Sequence, residues 1–259
     1  MMSGRDIVIA GSGNVATHLC RALAPRVAAV ISRNPDHAQA LAEECGVPVS
    51  GDLSLPLGET GADIIIVSVA DSAVDEVAAA IGPVASEPLV VHTSGTVPRE
   101  AVSRISPRTG ILYPLQSFSK DAKVELAEVP FFIEAERAED LPLVRGVALS
   151  MSPKVHDTCP EQRKLLHVAG VFSSNFPNIM LEIAENILRQ AGYPADTVKP
   201  LVEATVAKAF ALGAHSAQTG PARRGDRKVI ESHTAMLEPA EAEIYSLLSN
   251  YILKSHEQN

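Results

Sequence analysis

The order of apolar and polar positions divides the chain into an alternating first part and a helical last part. In the first part, short aliphatic runs alternate with segments of helical periodicity. The predicted strands cover residues 6–10, 27–31, 48–50, 63–69, 89–92, 110–112, 130–133 and a stretch near Val147. The predicted helices between the early strands cover 14–23, 35–45 and 71–81. Unbroken aliphatic strands separated by helices are typical of a parallel sheet covered on both faces, so the pattern predicts a doubly wound α/β domain.

From Cys159 onward only helical patterns remain. They predict helices over 160–190, 196–218, 227–237 and 239–255. The first is expected to bend at Pro177, and the second to be capped by Asp196. The predicted domains are therefore 1–155, doubly wound α/β, and 156–259, all-helical. The helical part has more apolar residues than a small bundle can hide, which favours a homodimer formed through it.

Composition and charge narrow the class of partner. The chain has 259 residues, with 22 Lys plus Arg against 31 Asp plus Glu, a formal net charge of −9. This acidity argues against nucleic-acid binding. No apolar run is long enough to span a membrane, and the first residues have no signal-peptide core. The three cysteines are dispersed and odd in number, and no His cluster has metal-ligand spacing, so we expect a reduced, cytoplasmic chain without a metal.

A glycine-rich segment follows the first predicted strand and opens the first predicted helix. It has the pattern G-x-G-x-x-G/A, in which Gly11 permits the tight turn, Gly13 admits a pyrophosphate and Ala16 permits close helix packing. The predicted phosphate-binding residues are Gly11, Ser12, Gly13, Asn14, Val15 and Ala16. The alternative is a plain glycine turn between strand and helix.

The end of the second predicted strand indicates the type of cofactor. A site for NAD usually has an acidic residue there, whereas this chain has Ser32, Arg33 and Asn34. An arginine attracts a 2′-phosphate that an acid would repel, and its neighbours can donate hydrogen bonds. The segment therefore predicts NADP(H). The alternative is a solvated arginine on the loop.

Two further loops are predicted to follow strands at the ligand-binding edge of the sheet. Val69 and Ala70 follow the fourth strand, and Thr93 and Ser94 follow the next one, directly after His92. We expect all four of these residues to contact the cofactor. Ser94 is also expected to orient a substrate carbonyl or imine. Alternatively, His92 caps its strand and the hydroxyls satisfy turn amides.

The segment 112–119 interleaves polar and apolar residues around Pro114. It suits a wall of a cleft, with Gln116 as a substrate contact, and equally an edge strand.

The long predicted helix carries polar residues on one side. His167, Ser174 and Asn178 fall within roughly 40° of arc at 100° per residue, with Asn175 about 80° from His167. His167 is the candidate acid, because its ordinary pKa lies near neutrality. The alternative is polar contacts inside a helical dimer.

The loop 219–226 places Arg223 and Arg224 between glycines. Arginines there can bind an anionic group of a substrate, and Asp226 can cap the following helix. A solvated basic turn is the alternative.

Together these motifs resemble the Rossmann-like NADP oxidoreductases with a C-terminal helical domain of unknown function. The matching segments are the glycine loop, residues 92–95, 113–118, 167–175 and 220–226. The layout is more distantly similar to pyrroline-5-carboxylate reductase, ketopantoate reductase, deazaflavin-dependent NADP reductases and β-hydroxyacid dehydrogenases. That resemblance implies a helical dimerisation domain that completes the active site, sometimes across the dimer.

The chain departs from these relatives where the proton donor would lie. The Ser-Gly-rich helix start of pyrroline-5-carboxylate reductase is absent, and Val171 occupies the place of the catalytic lysine of β-hydroxyacid dehydrogenases. The resemblance therefore implies the cofactor but neither the substrate nor the proton donor.

The sequence as a whole predicts an NADP(H)-dependent oxidoreductase that passes hydride to or from a small C=O or C=N compound. His167, Ser94 and Asn175 are its candidate catalytic residues. The alternative is a non-catalytic NADP-binding sensor or scaffold dimer.

Overall fold

The computed structural model describes residues 4–257. Eight strands form one sheet in the order β3-β2-β1-β4-β5-β6-β7-β8. They are β1 Ile7–Ala10, β2 Val27–Ile31, β3 Val49–Gly51, β4 Ile64–Val67, β5 Leu89–His92, β6 Thr109–Pro114, β7 Phe131–Ala135 and β8 Val155–Asp157. Strand order reverses between β1 and β4, and ligands of open α/β sheets bind beyond the carboxyl ends of the strands at such a point.

The sheet is parallel except at one pair. β7 runs antiparallel to β6, and β8 is again parallel to β7. The doubly wound α/β prediction is confirmed, whereas the expectation of a wholly parallel sheet missed this reversal.

The strands are apolar on both sides because the sheet separates two cores. In β1, Ile7 and Ile9 point to one core, and Val8 and Ala10 point to the other. The helices of this half are α1 Asn14–Leu23, α2 Pro35–Cys45, α3 Val74–Ile81 and α4 Leu141–Leu149. Their buried apolar residues complete the two cores.

One strand prediction was wrong. Val147 lies in α4, not in a strand. The buried residues Val144, Val147 and Ala148 have the three- and four-residue spacing of one helix face. The last strand of the sheet is instead β8.

The predicted helix 160–190 is interrupted. It consists of α5 Pro160–Gly170, a π-helical turn Val171–Asn175 and α6 Phe176–Gln190. Such turns insert one residue into the helical hydrogen-bond ladder. Pro177 is the second residue of α6, directly after this turn, and the backbone at Asn175 is itself helical. A proline has no N–H group to donate to the preceding turn, so it interrupts the hydrogen-bond ladder there.

The remaining helices are α7 Lys199–Leu212, α8 Ala214–Ala217, α9 Pro221–Arg224, α10 Arg227–Thr234 and α11 Pro239–Glu257. In place of the predicted helix 196–218, the structure has the shorter helix α7 followed by the separate α8. Asp196 lies in a 3-10 turn and makes no side-chain cap, and Gly213, with φ of +82°, ends α7. Asp226 caps α10 as predicted, since its carboxylate accepts a hydrogen bond from the Val229 amide.

The chain forms two compact units, the first ending at Ser174 and the second beginning at Asn175. In the described part of the second unit, the buried residues are Ala217, Ala222 and Ser249. No helix in the described range is long and apolar enough to cross a membrane.

Candidate active site

The turn between β1 and α1 can be made only with glycine at position 11. Gly11 has φ of +136°, and a Cβ there would lie 2.0 Å from the Ser68 carbonyl oxygen. Its amide donates to the Ile31 carbonyl at 2.8 Å. The residue therefore joins the ends of β1, β2 and β4.

Gly13 serves a different purpose. A Cβ at this position would meet no atom within 4 Å, so its lack of a side chain leaves open space beside the start of α1. No side chain caps that helix, which leaves the first amides, from Asn14 to Ala16, without partners inside the helix. An open cradle faced by free amides and a positive helix end fits the phosphates of a dinucleotide.

The segment after β6 crosses the start of α1. The Asn14 side-chain amide donates to the Phe118 carbonyl at 2.9 Å, and the His18 ring lies 2.9 Å from the Ser119 carbonyl oxygen. Gln116 is exposed, and its side-chain oxygen accepts from the next amide. Because β6 lies between two strands, the edge-strand interpretation of residues 112–114 was wrong.

The three residues after β2 have separate roles. The Ser32 hydroxyl lies 3.0 Å from that of Ser12, and the Asn34 side chain caps α2. Arg33 is exposed and pairs with Glu76 of α3 at 3.3 Å. Of the three, Arg33 is the one that extends a charged group toward solvent, where a 2′-phosphate can compete with Glu76.

The loops after β4 and β5 are joined to each other. The Thr93 hydroxyl donates to Ser68 at 3.2 Å, and Thr96 donates to the Asp71 carboxylate. Val69 packs partly buried against the core, and Ala70 follows it at the sheet edge.

His92 and Ser94 organise the second loop from inside. The His92 Nδ1 accepts from the Ser94 amide at 3.2 Å, which assigns the proton to Nε2, 3.1 Å from the Pro98 carbonyl oxygen. Burial, aided by the nearby Arg163 charge, lowers the pKa of His92 to about 4, so the ring is neutral. The Ser94 hydroxyl accepts from the amides of Thr96 and Val97. The geometry matches the structural interpretation of both residues, in which the hydroxyl satisfies turn amides.

His167 lies against the same loop. A Cβ on Gly95 would be 2.7 Å from the His167 Nδ1 and 2.9 Å from the Tyr113 ring. The Tyr113 hydroxyl lies 3.4 Å from that Nδ1. Burial raises the pKa of the Tyr113 phenol, with Asp71 adding to the effect and Arg163 opposing it, so the phenol stays protonated at neutral pH. The structure thus brings together Gly95, Tyr113 and His167.

Sequence reasoning missed a buried ion pair beside this cluster. Arg163 of α5 is fully buried, and its Nε donates to Glu134 of β7 at 2.7 Å. Its Nη1 donates to the carbonyls of Ser94 and Val97 at 3.1 and 2.9 Å. The one available signal was Glu134 in the otherwise apolar run 131–135, since a charge in a buried strand needs a partner.

The other candidates lie farther along the chain. Ser174 is half-buried in the π-helical turn, whereas Asn175 and Asn178 are exposed and belong to the second unit. Arg223 and Arg224 are exposed on α9, and neither pairs with a carboxylate of the described residues. Their roles stay predictions. Within residues 4–257, no three or more His, Cys, Asp or Glu side chains gather in a way that suits a metal ion.

Comparison with sequence families matches both halves of the chain. Residues 6–95 match the family described as "NADP oxidoreductase coenzyme F420-dependent", and residues 129–252 match "Domain of unknown function (DUF2520)". No curated protein matches the chain.

Solved structures extend the likeness to the whole chain. A "putative NADP oxidoreductase" of Bacteroides fragilis is 38% identical, with a TM-score of 0.89, and the match covers 98% of this chain and all of that one. A pyrroline-5-carboxylate reductase of Coxiella burnetii is 17% identical with a TM-score of 0.60, covering 98% of each chain. A reductive aminase of Aspergillus terreus, solved with NADPH, is 16% identical with a TM-score of 0.73, covering 98% and 94%. The last two share the fold.

Proposed function

Because the chain belongs to the NADP oxidoreductase family that includes the Bacteroides fragilis protein, we propose that it transfers hydride between NADP(H) and a small C=O or C=N compound. The observation that carries the proposal is the Tyr113–His167 pair, which lies against Gly95 beyond the carboxyl end of β5. That edge of the sheet is where a ligand of this fold binds.

The predicted cofactor, NADP(H), is confirmed by the family. The amides from Asn14 to Ala16 and the open space at Gly13 would hold its phosphates, and Arg33 would hold the 2′-phosphate. When bound, the nicotinamide supplies or accepts the hydride, while protein groups handle the proton.

The proton is assigned to the tyrosine–histidine pair. Tyr113 is buried and protonated, its hydroxyl lies beside the His167 Nδ1, and His167 as a whole is half-buried. In reduction, a C=O or C=N bond gains hydride on carbon and a proton on oxygen or nitrogen. Tyr113 or His167 donates that proton, and the pair recovers it from solvent through the exposed side of the histidine.

Two arginines of the second unit favour a substrate that carries an anionic group. The exposed Arg223 and Arg224, which pair with no carboxylate in the described part of the chain, suit an anionic group. Asn175 and Asn178 of the same unit, and Ser174 at the end of the first, offer hydrogen-bonding groups. We propose that the working form is a homodimer and, from the three free cysteines, that the location is cytoplasmic.

Cofactor binding gives the first test. We expect NADPH to bind more tightly than NADH in fluorescence titrations. Arg33→Ala should weaken NADPH binding by about tenfold or more and leave NADH nearly unchanged, because a phosphate contact is lost. Tighter binding of NADH, or an unchanged NADPH affinity in Arg33→Ala, would overturn the assignment of Arg33.

Turnover gives the second test. NADPH oxidation would be followed with a panel of keto acids, cyclic imines and an oxidised deazaflavin. Tyr113→Phe and His167→Gln should each lower kcat by about 10²-fold or more with an unchanged NADPH Kd. The matched control is His37→Gln, which alters an exposed histidine of α2. Tight NADPH binding without turnover of any compound would sink the proposal in favour of a sensor.

A further inference from the structure

Arg163 is the anchor of the helix that carries His167. Within the fully described helix α5, it is the one buried residue. Its guanidinium lies between β7 and the loop after β5, donating to Glu134 and to the carbonyls of Ser94 and Val97. The helix is therefore attached to the sheet mainly through a charged side chain and not through an apolar face.

The spacing along α5 connects this anchor to the site. His167 follows Arg163 by four residues, so both side chains lie on the same face, one turn apart. The loop whose carbonyls Arg163 holds is also the loop whose Gly95 lies against the His167 ring. The Arg163 side chain thus holds both elements that meet at His167, which are helix α5 and the loop that contains Gly95.

Stability alone does not account for a charge in this place. Apolar residues of similar volume commonly replace a buried ion pair without loss of stability. The partner is also incompletely satisfied, because the second carboxylate oxygen of Glu134 is buried without a hydrogen bond and has Arg99 at 3.9 Å. What the guanidinium provides and an apolar residue lacks is a fixed direction toward two carbonyls and a carboxylate at once.

Building on the proposed function, we propose that Arg163, paired with Glu134, is a positioning residue that holds His167 against Gly95 and Tyr113. It touches no reacting atom in this role. Its effect passes through the placement of α5 and of the loop 93–97.

The test uses the full chain with both partners replaced. Arg163→Met with Glu134→Leu removes the charges together, because Arg163→Met alone would leave a buried carboxylate unpaired and can fail to fold. The matched control is Arg108→Met with Asp140→Leu. That pair also has a buried carboxylate, but Arg108 lies just before the start of β6. It is therefore at the end of the strands opposite to the carboxyl end of β5, where His167 lies.

Two readouts separate positioning from general stability. The first is the nuclear Overhauser contact between the His167 ring and the Gly95 α-protons, which should be present in the unaltered protein and in the control and lost in Arg163→Met/Glu134→Leu. The second is kinetic: kcat should fall by about 10- to 100-fold while KM and the NADPH Kd stay within about twofold. Arg163→Lys, which keeps the charge but not the fork of donors, should give an intermediate kcat.

The outcomes distinguish the two proposals. A retained Overhauser contact in the Arg163→Met/Glu134→Leu variant overturns the positioning role, as does an equal loss of kcat in the control pair. If the unaltered protein turns over no compound, the proposed function fails, and the Overhauser contact still decides the inference about Arg163.

Discussion

Two glycines of one loop are required for opposite reasons, and this difference can be measured. Gly11 has a left-handed backbone and would place a Cβ against the Ser68 carbonyl, whereas Gly13 has an ordinary extended backbone and open space around it. Gly11→Ala should therefore lower the free energy of unfolding by about 2 kcal/mol or more. Gly13→Ala should change it by less than about 0.5 kcal/mol.

The affinity for NADPH should identify Gly13→Ala as the variant that is impaired in binding, whereas stability identifies Gly11→Ala as the one that is impaired in folding. Gly13→Ala places a methyl group where the pyrophosphate would approach, so the NADPH Kd should rise by about tenfold or more while the fold is retained. Urea unfolding and fluorescence titration measure the two quantities. A Gly13→Ala protein that binds NADPH as well as the original would show that the phosphates lie elsewhere.

Residues whose role is local could be predicted from the sequence. The glycine loop is recognisable from a pattern of six consecutive positions, although the close approach of Ser68 to Gly11 is not, and Asp226 caps the helix that follows it. Arg163 could not be predicted, because its partners Glu134 and Ser94 are distant along the chain. The hydrogen bonds that the Ser94 hydroxyl accepts from the Thr96 and Val97 amides could not be predicted either, because they depend on the conformation of the loop, and a role of Ser94 toward a substrate stays a prediction.

At the scale of elements, strand β5 ends in a neutral buried histidine, His92, whose ring accepts a hydrogen bond from the loop that follows, and this makes a prediction about pH. The pKa of His92 is about 4 in the folded protein and about 6.5 in an unfolded chain. Between these pH values the unfolded state binds more protons than the folded state. The contribution of His92 to the stability of the folded protein is therefore complete above about pH 6.5 and is lost as the pH falls toward 4. The full contribution is up to about 3 kcal/mol.

His92→Gln isolates this contribution. The variant keeps hydrogen-bonding groups but cannot titrate, so its free energy of unfolding should fall less steeply between pH 6.5 and 4.5 than that of the original protein. Urea unfolding at several pH values measures both slopes, and the carboxylates common to both proteins cancel in the difference. Equal slopes would mean that His92 becomes protonated without opening the loop.

Elements were predictable where one period dominated the sequence. Strands β1, β2 and β4 are aliphatic throughout because both faces are covered, and helices α2 and α3 end directly before Gly46 and Gly82. The sequence around Val147 predicts a strand where the structure has α4, because a short apolar run is compatible with either element. The π-helical turn has no sequence period of its own, so the sequence predicts a continuous helix across Val171–Asn175.

At the scale of the whole molecule, the second unit lacks a core of its own. Its described part buries only two alanines and a serine, and helix α7 buries none of its residues. A cavity of 690 Å³ lies between α6, α10 and α11, lined largely by apolar side chains such as Ile183, Ile244 and Leu248. A helix with apolar residues on every side is normally buried.

We therefore expect a second copy of the chain to cover α7 and this cavity, and dimerisation to be required for stability. The side chain of Phe210 on α7 is 89% exposed within one copy, so Phe210→Asp should place a charge in the interface and weaken the dimer by about 100-fold or more. Light scattering across a dilution series measures the effect. The matched control is Leu149→Asp on α4 of the first unit, where the leucine is 52% exposed. The control should remain dimeric.

A monomeric original protein at micromolar concentration, or a Phe210→Asp dimer as tight as the original, would contradict this arrangement. In either case, the exposed apolar surface of α7 would need another partner.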